Sequence, residues 1–172
     1  EFLLFHSHKD PRSYVPEADQ RFRRLNLQTP CHHRLERHAL ALELLPHRLD
    51  VFHSPDFIPP VAGASRRIIT VHDLTFLHYP QFLTAESRRY YNDQIAWAVQ
   101  AADHISADSE ATRKDILSLL DVEESRVTTI LLAANPLYTR PIDPTEAALT
   151  LARHDLQPGY VLFVGTLEPR KN

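Results

Sequence analysis

His72 and Asp73 end a short apolar run that begins at residue 67. A histidine at the end of a buried strand can hydrogen-bond a substrate hydroxyl or transfer a proton near neutral pH. The adjacent carboxylate could orient a backbone group or a ring. The alternative is a histidine bonded into the sheet edge with no chemical role. His72 and Asp73 are therefore the first catalytic candidates.

Polar side chains also follow two other apolar runs. Ser54 and Asp56 come after residues 49–53, and Asp108 and Ser109 come after residues 104–107. In open parallel sheets, ligands bind outside the carboxyl ends of the strands. These side chains would then share one edge with His72, although loops are polar in most proteins.

A third group of candidates lies in residues 165–172, where Gly165 follows an apolar run and Arg170 and Lys171 come shortly afterwards. Gly165 allows a sharp turn and a close approach of a ligand. The two basic residues stand where a following helix would begin, and helix starts bind phosphate together with Arg and Lys. The alternative is a solvated basic pair in a loop.

The eleven histidines do not predict a metal site. Cys31, His32 and His33 are consecutive, and neighbouring side chains of a helix do not share a face. The sequence contains neither a Cys-x-x-Cys nor a His-Glu-x-x-His spacing. The single cysteine excludes an internal disulfide and suits a reducing compartment. Tyr90, Tyr91 and Trp97 have helical spacing that favours core packing over a sugar-stacking surface.

Short β-rich runs alternate with helical patterns along the chain. Several runs are almost continuously apolar, which is typical of strands buried on both faces of a parallel sheet. Thr84, Ser109 and Asp143 are expected N-caps. The pattern predicts an α/β fold with a doubly wound parallel sheet. Predicted strands are 2–5, 49–53, 67–72, 104–107, 127–132 and 160–164, and predicted helices are 34–45, 84–102, 109–120 and 143–154.

Composition limits the class of protein. Hydrophobic residues make up 43% and charged residues 24% of the 172 residues, and the net charge is −3. This balance is that of a globular domain, and it lacks the basic excess of a nucleic-acid-binding protein. No apolar run approaches the roughly 20 residues that span a bilayer. Because Met is absent and residues 160–172 would form a strand and loop without a successor, we expect both ends to belong to a longer protein.

The chain contains four distinctive segments: 50–57 (DVFHSPDF), 70–76 (TVHDLTF) followed by Tyr79-Pro80, 102–115 (ADHISADSEATRKD) and 160–172 (YVLFVGTLEPRKN). In their order and spacing, from about residue 50 to residue 172, they resemble the family-four retaining glycosyltransferases. The first three resemble segments of that family's acceptor domain, and residues 160–172 resemble the opening of its donor domain.

The resemblance implies a GT-B fold of two Rossmann-like domains with the active site between them. Residues 1–134 would be the acceptor-side domain without its start, 135–144 a proline-containing linker, and 145–172 the start of the donor-side domain. His72 matches the histidine that contacts the transferred sugar, with Asp73 beside it. The donor diphosphate would be held by Gly165, Thr166, Arg170 and Lys171, and Ser54, Asp56 and Ser109 would lie on the acceptor side.

The expected reaction is retaining transfer of a mannose- or glucose-like sugar from a nucleotide-diphosphate sugar to a glycan or lipid-linked acceptor. Positive charge at Arg170 and Lys171 would stabilise the departing diphosphate, so no metal and no cofactor is expected. We expect no activity from this segment by itself. The expected location is cytoplasmic, with at most loose association with the inner face of the membrane. Two alternatives remain: a non-catalytic α/β module that binds a sugar or a partner, and a nucleotide-sugar epimerase of the related two-domain type.

Overall fold

The computed structural model describes residues 1–13, 15, 19–31, 33 and 35–167. Contacts divide the chain into two compact units, Glu1–Leu131 and the residues from Leu132 onward. Each unit is described by itself. The three-part division at residues 134 and 144 stays a prediction.

The first unit is built on parallel strands. Strands β1 (Phe2–Ser7) and β2 (Phe22–Leu27) pair with each other. Strands β3 (Leu49–Ser54), β4 (Ala64–Val71), β5 (His104–Ala107) and β6 (Val127–Thr129) form a second parallel sheet in the order β3-β4-β5-β6. All pairings in both sheets are parallel, as the continuously apolar runs predicted. The α/β fold class is confirmed.

Helices connect the strands and cover the sheet. They are α1 (Glu36–Leu44), the short α2 (Thr75–His78), α3 (Ala85–Ala101) and α4 (Glu110–Leu119). Fully buried Ile69 of β4 and Ile105 of β5 belong to one core with Ile95 of α3 and Ile116 of α4. This core fixes the strand ends that carry the candidate residues.

The predicted caps are confirmed. Thr84 Oγ1 accepts from the amide of Ser87, and Ser109 Oγ accepts from the amide of Thr112, each at 3.1 Å. In the second unit, Asp143 accepts amide hydrogen bonds at the start of α5 (Pro144–Arg153), where Pro144 takes the first helical position. These bonds satisfy donors that a helix start leaves unpaired.

The sequence pattern did not predict strand β2, because Arg23 and Arg24 interrupt its apolar residues. Both cations have partners beside the strand. Arg23 pairs with Glu1 at 2.8 Å, and Arg24 donates to the carbonyl oxygens of Asp10 and Arg12 at 2.6 and 2.7 Å. The two arginines are thus accommodated at the margin of a two-stranded sheet.

The strand predicted for residues 160–164 is wrong for this structure. The segment forms no ladder with any described residue, and Val161 and Val164 are 96% and 85% exposed. An apolar run becomes a strand only where a neighbour pairs with its backbone groups. For the same reason β6 ends at Thr129, three residues before its predicted end at Leu132. Across the described residues, no helix has the length and apolar character needed to cross a bilayer.

Candidate active site

Three loops leave the same edge of the four-stranded sheet. They follow the carboxyl ends of β3, β4 and β5, which are parallel neighbours. The first residues after these strands are Pro55, His72 and Asp108. The parallel topology therefore brings together residues that lie far apart in the sequence.

The imidazole of His72, in the loop after β4, contacts the loops after β3 and β5. Its Nδ1 lies 2.5 Å from Oδ2 of Asp108, and its Nε2 lies 2.9 Å from the carbonyl oxygen of Pro55. The His72 side chain is 57% exposed, whereas that of Asp108 is 15% exposed. A solvent-accessible imidazole is thus hydrogen-bonded to a largely buried carboxylate.

Both partners of the His72 ring are acceptors of hydrogen bonds. A neutral imidazole has one N–H group, whereas an imidazolium has two. The two contacts therefore favour the charged form. The hydrogen bond to Asp108 is the main cause that raises the pKa of His72; partial burial opposes it, and the Pro55 carbonyl and the charge of Asp56 add to it.

The charged form that these contacts favour limits the chemistry that His72 can perform. A ring whose nitrogens both carry protons cannot accept a proton from a substrate, so His72 in this arrangement is a poor general base. It offers a positive charge and an N–H donor instead. The Nε2–H group can serve a substrate hydroxyl if that oxygen replaces the Pro55 carbonyl.

Asp73 bonds a backbone amide and not the neighbouring imidazole. Its Oδ1 accepts a hydrogen bond from the amide of Thr75 at 2.9 Å, which supports the start of α2. It orients a backbone group, one of its two expected roles, while Asp108 orients the imidazole. Asp108 was expected at the same sheet edge because it follows β5, but the sequence assigned it no role beside His72.

The first turn of α4 supports the backbone of His72. Thr112, which is 5% exposed, donates from its hydroxyl to the carbonyl oxygen of His72 at 2.9 Å. The hydroxyls of Ser109 and Thr112 lie 3.1 Å apart, and Ser109 also caps the helix. The helix start is thereby fixed against the strand end that carries the histidine.

The other predicted acceptor-side residues contact their own loop. Ser54 is buried, and its hydroxyl donates to the carbonyl oxygen of Ile58 at 3.0 Å. Asp56 is half-buried and accepts from the amide of Phe57 at 2.7 Å. These bonds shape the loop that presents the Pro55 carbonyl to His72.

The predicted diphosphate-binding residues all follow Leu132 in the sequence, where the second unit begins. Gly165 and Thr166 are described and exposed, in a segment without regular secondary structure. Arg170 and Lys171 lie outside the described residues. Their role therefore stays a prediction from the sequence.

Metal ligation and aromatic stacking were the remaining questions from the sequence. The described residues contain no group of three or more His, Cys, Asp and Glu side chains placed to share a metal ion. Tyr90, Tyr91 and Trp97 pack against the main hydrophobic core. The favoured interpretation of these aromatics as packing residues is confirmed.

Comparison with known proteins agrees with this architecture. The sequence model of Glycosyltransferase Family 4 matches residues 3–135, a range that contains His72, Asp108 and Thr112. The chain is also similar to O-antigen chain mannosyltransferase B of Escherichia coli, with 30% identity over 123 residues. That alignment covers 71% of this chain and 32% of the relative, so the chain spans about a third of the relative's length. The chain belongs to glycosyltransferase family 4.

Proposed function

We propose that the complete gene product is a retaining glycosyltransferase. It would move a mannose- or glucose-like sugar from a nucleotide-diphosphate sugar to a glycan or lipid-linked acceptor. The observation that carries the proposal is the His72 ring at the sheet edge, held between the Asp108 carboxylate and the Pro55 carbonyl, inside the range that matches the family. The relative's description as an O-antigen chain mannosyltransferase favours mannose and a polysaccharide acceptor.

The chemistry follows from the charge that develops during transfer. The bond between the anomeric carbon and the diphosphate oxygen breaks, an acceptor hydroxyl oxygen bonds that carbon, and the hydroxyl proton leaves with the nucleoside diphosphate, on which negative charge develops. Positive groups fixed beforehand lower the energy of such a transition state. His72 is fixed by Asp108 and Pro55 before any ligand arrives. In the proposal, its Nε2–H positions the transferred sugar, and Arg170 and Lys171 hold the diphosphate without a metal ion.

The proposed location is cytoplasmic, with loose association with the inner face of the membrane when the acceptor is lipid-linked. Cys31 is an exposed free thiol, which suits a reducing compartment. The net charge of −3 gives no reason to expect a nucleic-acid partner.

The test is a transfer assay on the complete gene product with nucleotide-diphosphate mannose and glucose donors. We expect release of nucleoside diphosphate that depends on a glycan acceptor, a product with the donor's anomeric configuration, and no loss of activity with EDTA. His72→Ala should reduce turnover strongly and change donor affinity less. Donor conversion to an epimer without acceptor would favour the epimerase alternative, and sugar binding without turnover would favour the binding module.

A further inference from the structure

The loop after β3 occupies one nitrogen of the His72 ring. Nε2 of His72 lies 2.9 Å from the carbonyl oxygen of Pro55, although the His72 side chain is 57% exposed. Asp108 holds the other nitrogen, Nδ1, so Nε2 is the one left for a substrate. An N–H group that is bonded within the protein can serve a ligand only after that bond breaks. In this state the chain itself fills the position that a substrate oxygen would take.

The loop after β3 is anchored on both sides of Pro55. Ser54 is buried, and its hydroxyl donates to the carbonyl oxygen of Ile58 at 3.0 Å. Phe57 and Ile58 are buried in the main core, whereas Pro55 is exposed and Asp56 is half-buried. Because the ring of a proline fixes its φ, rotation about ψ of Pro55 is the local movement that turns this carbonyl. The carbonyl can therefore leave Nε2 without a movement of the core.

Three aromatic rings connect this loop to the helix that follows His72. They belong to Phe57, Phe76 of α2 and Tyr91 of α3, and we call them the aromatic triad. The centroid of Phe57 lies 6.1 Å from that of Phe76 and 6.0 Å from that of Tyr91, and the last two are 5.3 Å apart. All three distances fall in the range of roughly 4.5–7 Å in which aromatic rings attract one another.

The position of the triad in the chain gives it control over one hydrogen bond. Phe57 comes two residues after Pro55, which supplies the acceptor oxygen. Phe76 lies in α2, which begins at Thr75, three residues after His72. Contact between the two rings therefore sets the distance between the loop that carries the acceptor and the segment that carries the donor.

We propose, resting on the function proposed above, that the aromatic triad holds the Pro55 carbonyl against Nε2 of His72 and so keeps the site closed until the donor sugar binds. A hydroxyl of the transferred sugar then replaces the carbonyl as the acceptor of the Nε2 hydrogen bond. The three rings are positioning residues, because they act through Pro55 and do not contact the sugar themselves.

The closed contact has a measurable consequence for donor binding. When only a fraction of the molecules has an open site, the apparent dissociation constant is the intrinsic one divided by that fraction. A substitution that loosens the triad raises the open fraction, so the donor should bind more tightly. A substitution that merely damages the fold should raise KM or lower turnover instead. The sign of the change in donor KM separates the two explanations.

Phe76→Leu is the main test, because it removes two of the three ring contacts and keeps an apolar side chain. In the complete gene product, a fivefold larger open fraction would lower KM for the nucleotide-diphosphate sugar about fivefold. Turnover at saturating donor should change less. Ser54→Ala loosens the same loop in an independent way, by removing the bond to Ile58, and should shift KM in the same direction. If Phe76→Leu fails to fold, Ser54→Ala carries the test.

Trp97→Leu is the matched control. It replaces an aromatic ring by leucine in α3, the helix of Tyr91, and Trp97 packs against the same core outside the triad. It can therefore lower stability in the same way as Phe76→Leu. Its donor KM should equal that of wild type.

Exchange of the Nε2 proton of His72 with solvent tests the closed loop without any assay of transfer. It can be followed by ¹⁵N NMR of the complete gene product in the absence of substrate. Because exchange requires the local hydrogen bond to open, it should be about fivefold faster in Phe76→Leu and Ser54→Ala. Trp97→Leu should exchange at the wild-type rate.

Two results would overturn the proposal. These are equal exchange rates of the Nε2 proton in wild type and both loop variants, or a donor KM that falls in neither variant. Faster exchange in both variants of a protein without any transfer activity would refute the proposed function but retain the closed loop. Normal transfer with unchanged donor KM and unchanged exchange would do the reverse.

Discussion

The His72 site and the segment of α3 that carries Tyr90 and Gln94 lie in the same unit and differ in how their polar groups are satisfied. Both ring nitrogens of His72 have protein partners, at 2.5 and 2.9 Å. Gln94 Oε1 and the Tyr90 hydroxyl are buried without a partner in the described part of the chain. The polar groups of the first site are held by protein partners, whereas the two groups on α3 gain no hydrogen bond from the fold. Removing a hydrogen-bonding group should therefore be costly at the first site and nearly without effect on α3.

The largest effect is expected from Asp108→Ala. It removes the carboxylate that holds the His72 ring and favours its charge, so turnover of the complete gene product should fall about 100-fold. Asp73→Ala is the control, since its carboxylate bonds the Thr75 amide and not the ring. It should lower turnover far less. Equal losses of turnover in the two variants would show that Asp108 has no special role beside His72.

A smaller effect is expected from Thr112→Val, measured by urea unfolding of the chain. The variant keeps the side-chain shape but leaves the His72 carbonyl without its 2.9 Å donor. It should lower the free energy of unfolding by about 1 kcal/mol. Thr75→Val is the matched control, because its hydroxyl has no described hydrogen bond, and it should change stability by less than about 0.5 kcal/mol. Equal free energies of unfolding for the two variants would contradict the claim that Thr112 of α4 supports the His72 backbone.

The pH dependence of stability should differ between wild type and Asp108→Asn. The folded state raises the pKa of His72, so its contribution to stability is full below the unfolded pKa of about 6.5. That contribution is lost as the pH rises through the raised value. The advantage of wild type in unfolding free energy should therefore shrink from pH 5 to pH 9. An advantage that grows with pH would show that His72 is neutral in the fold.

The smallest effect on stability is expected from Gln94→Leu. Because Oε1 has no partner, an apolar side chain of similar size should leave the free energy of unfolding unchanged or slightly higher. Thermal unfolding of the ligand-free chain measures this directly. A loss above about 1 kcal/mol would mean that the amide is already satisfied, and the contrast between the two sites would disappear.

Much of the fold follows from local sequence signals. The caps at Thr84, Ser109 and Asp143 depend on one side chain and the amides that follow it, so the sequence shows them directly. The buried parallel strands follow from continuous apolar runs. Residues 160–164 have the same pattern and form no strand, because a strand needs a paired neighbour as well as a favourable composition.

The candidate site was only partly predictable for a related reason. His72 could be found because it ends an apolar run. Its partner could not be chosen, because Asp73 is adjacent in sequence while Asp108 is adjacent in space. The two unsatisfied polar groups on α3 had no sequence signal, since they depend on which atoms of Tyr90 and Gln94 are buried without partners.

The charged state of His72 is the central claim of this account, and ¹⁵N NMR of the His72 ring tests it most directly. In wild type, both ring nitrogens should be protonated at pH 6.5, with a titration midpoint above that of Asp108→Asn. The variant midpoint should fall toward the ordinary histidine value of about 6.5. A neutral ring at pH 6.5, or equal midpoints in the two proteins, would contradict the claim that Asp108 holds His72 as a cation.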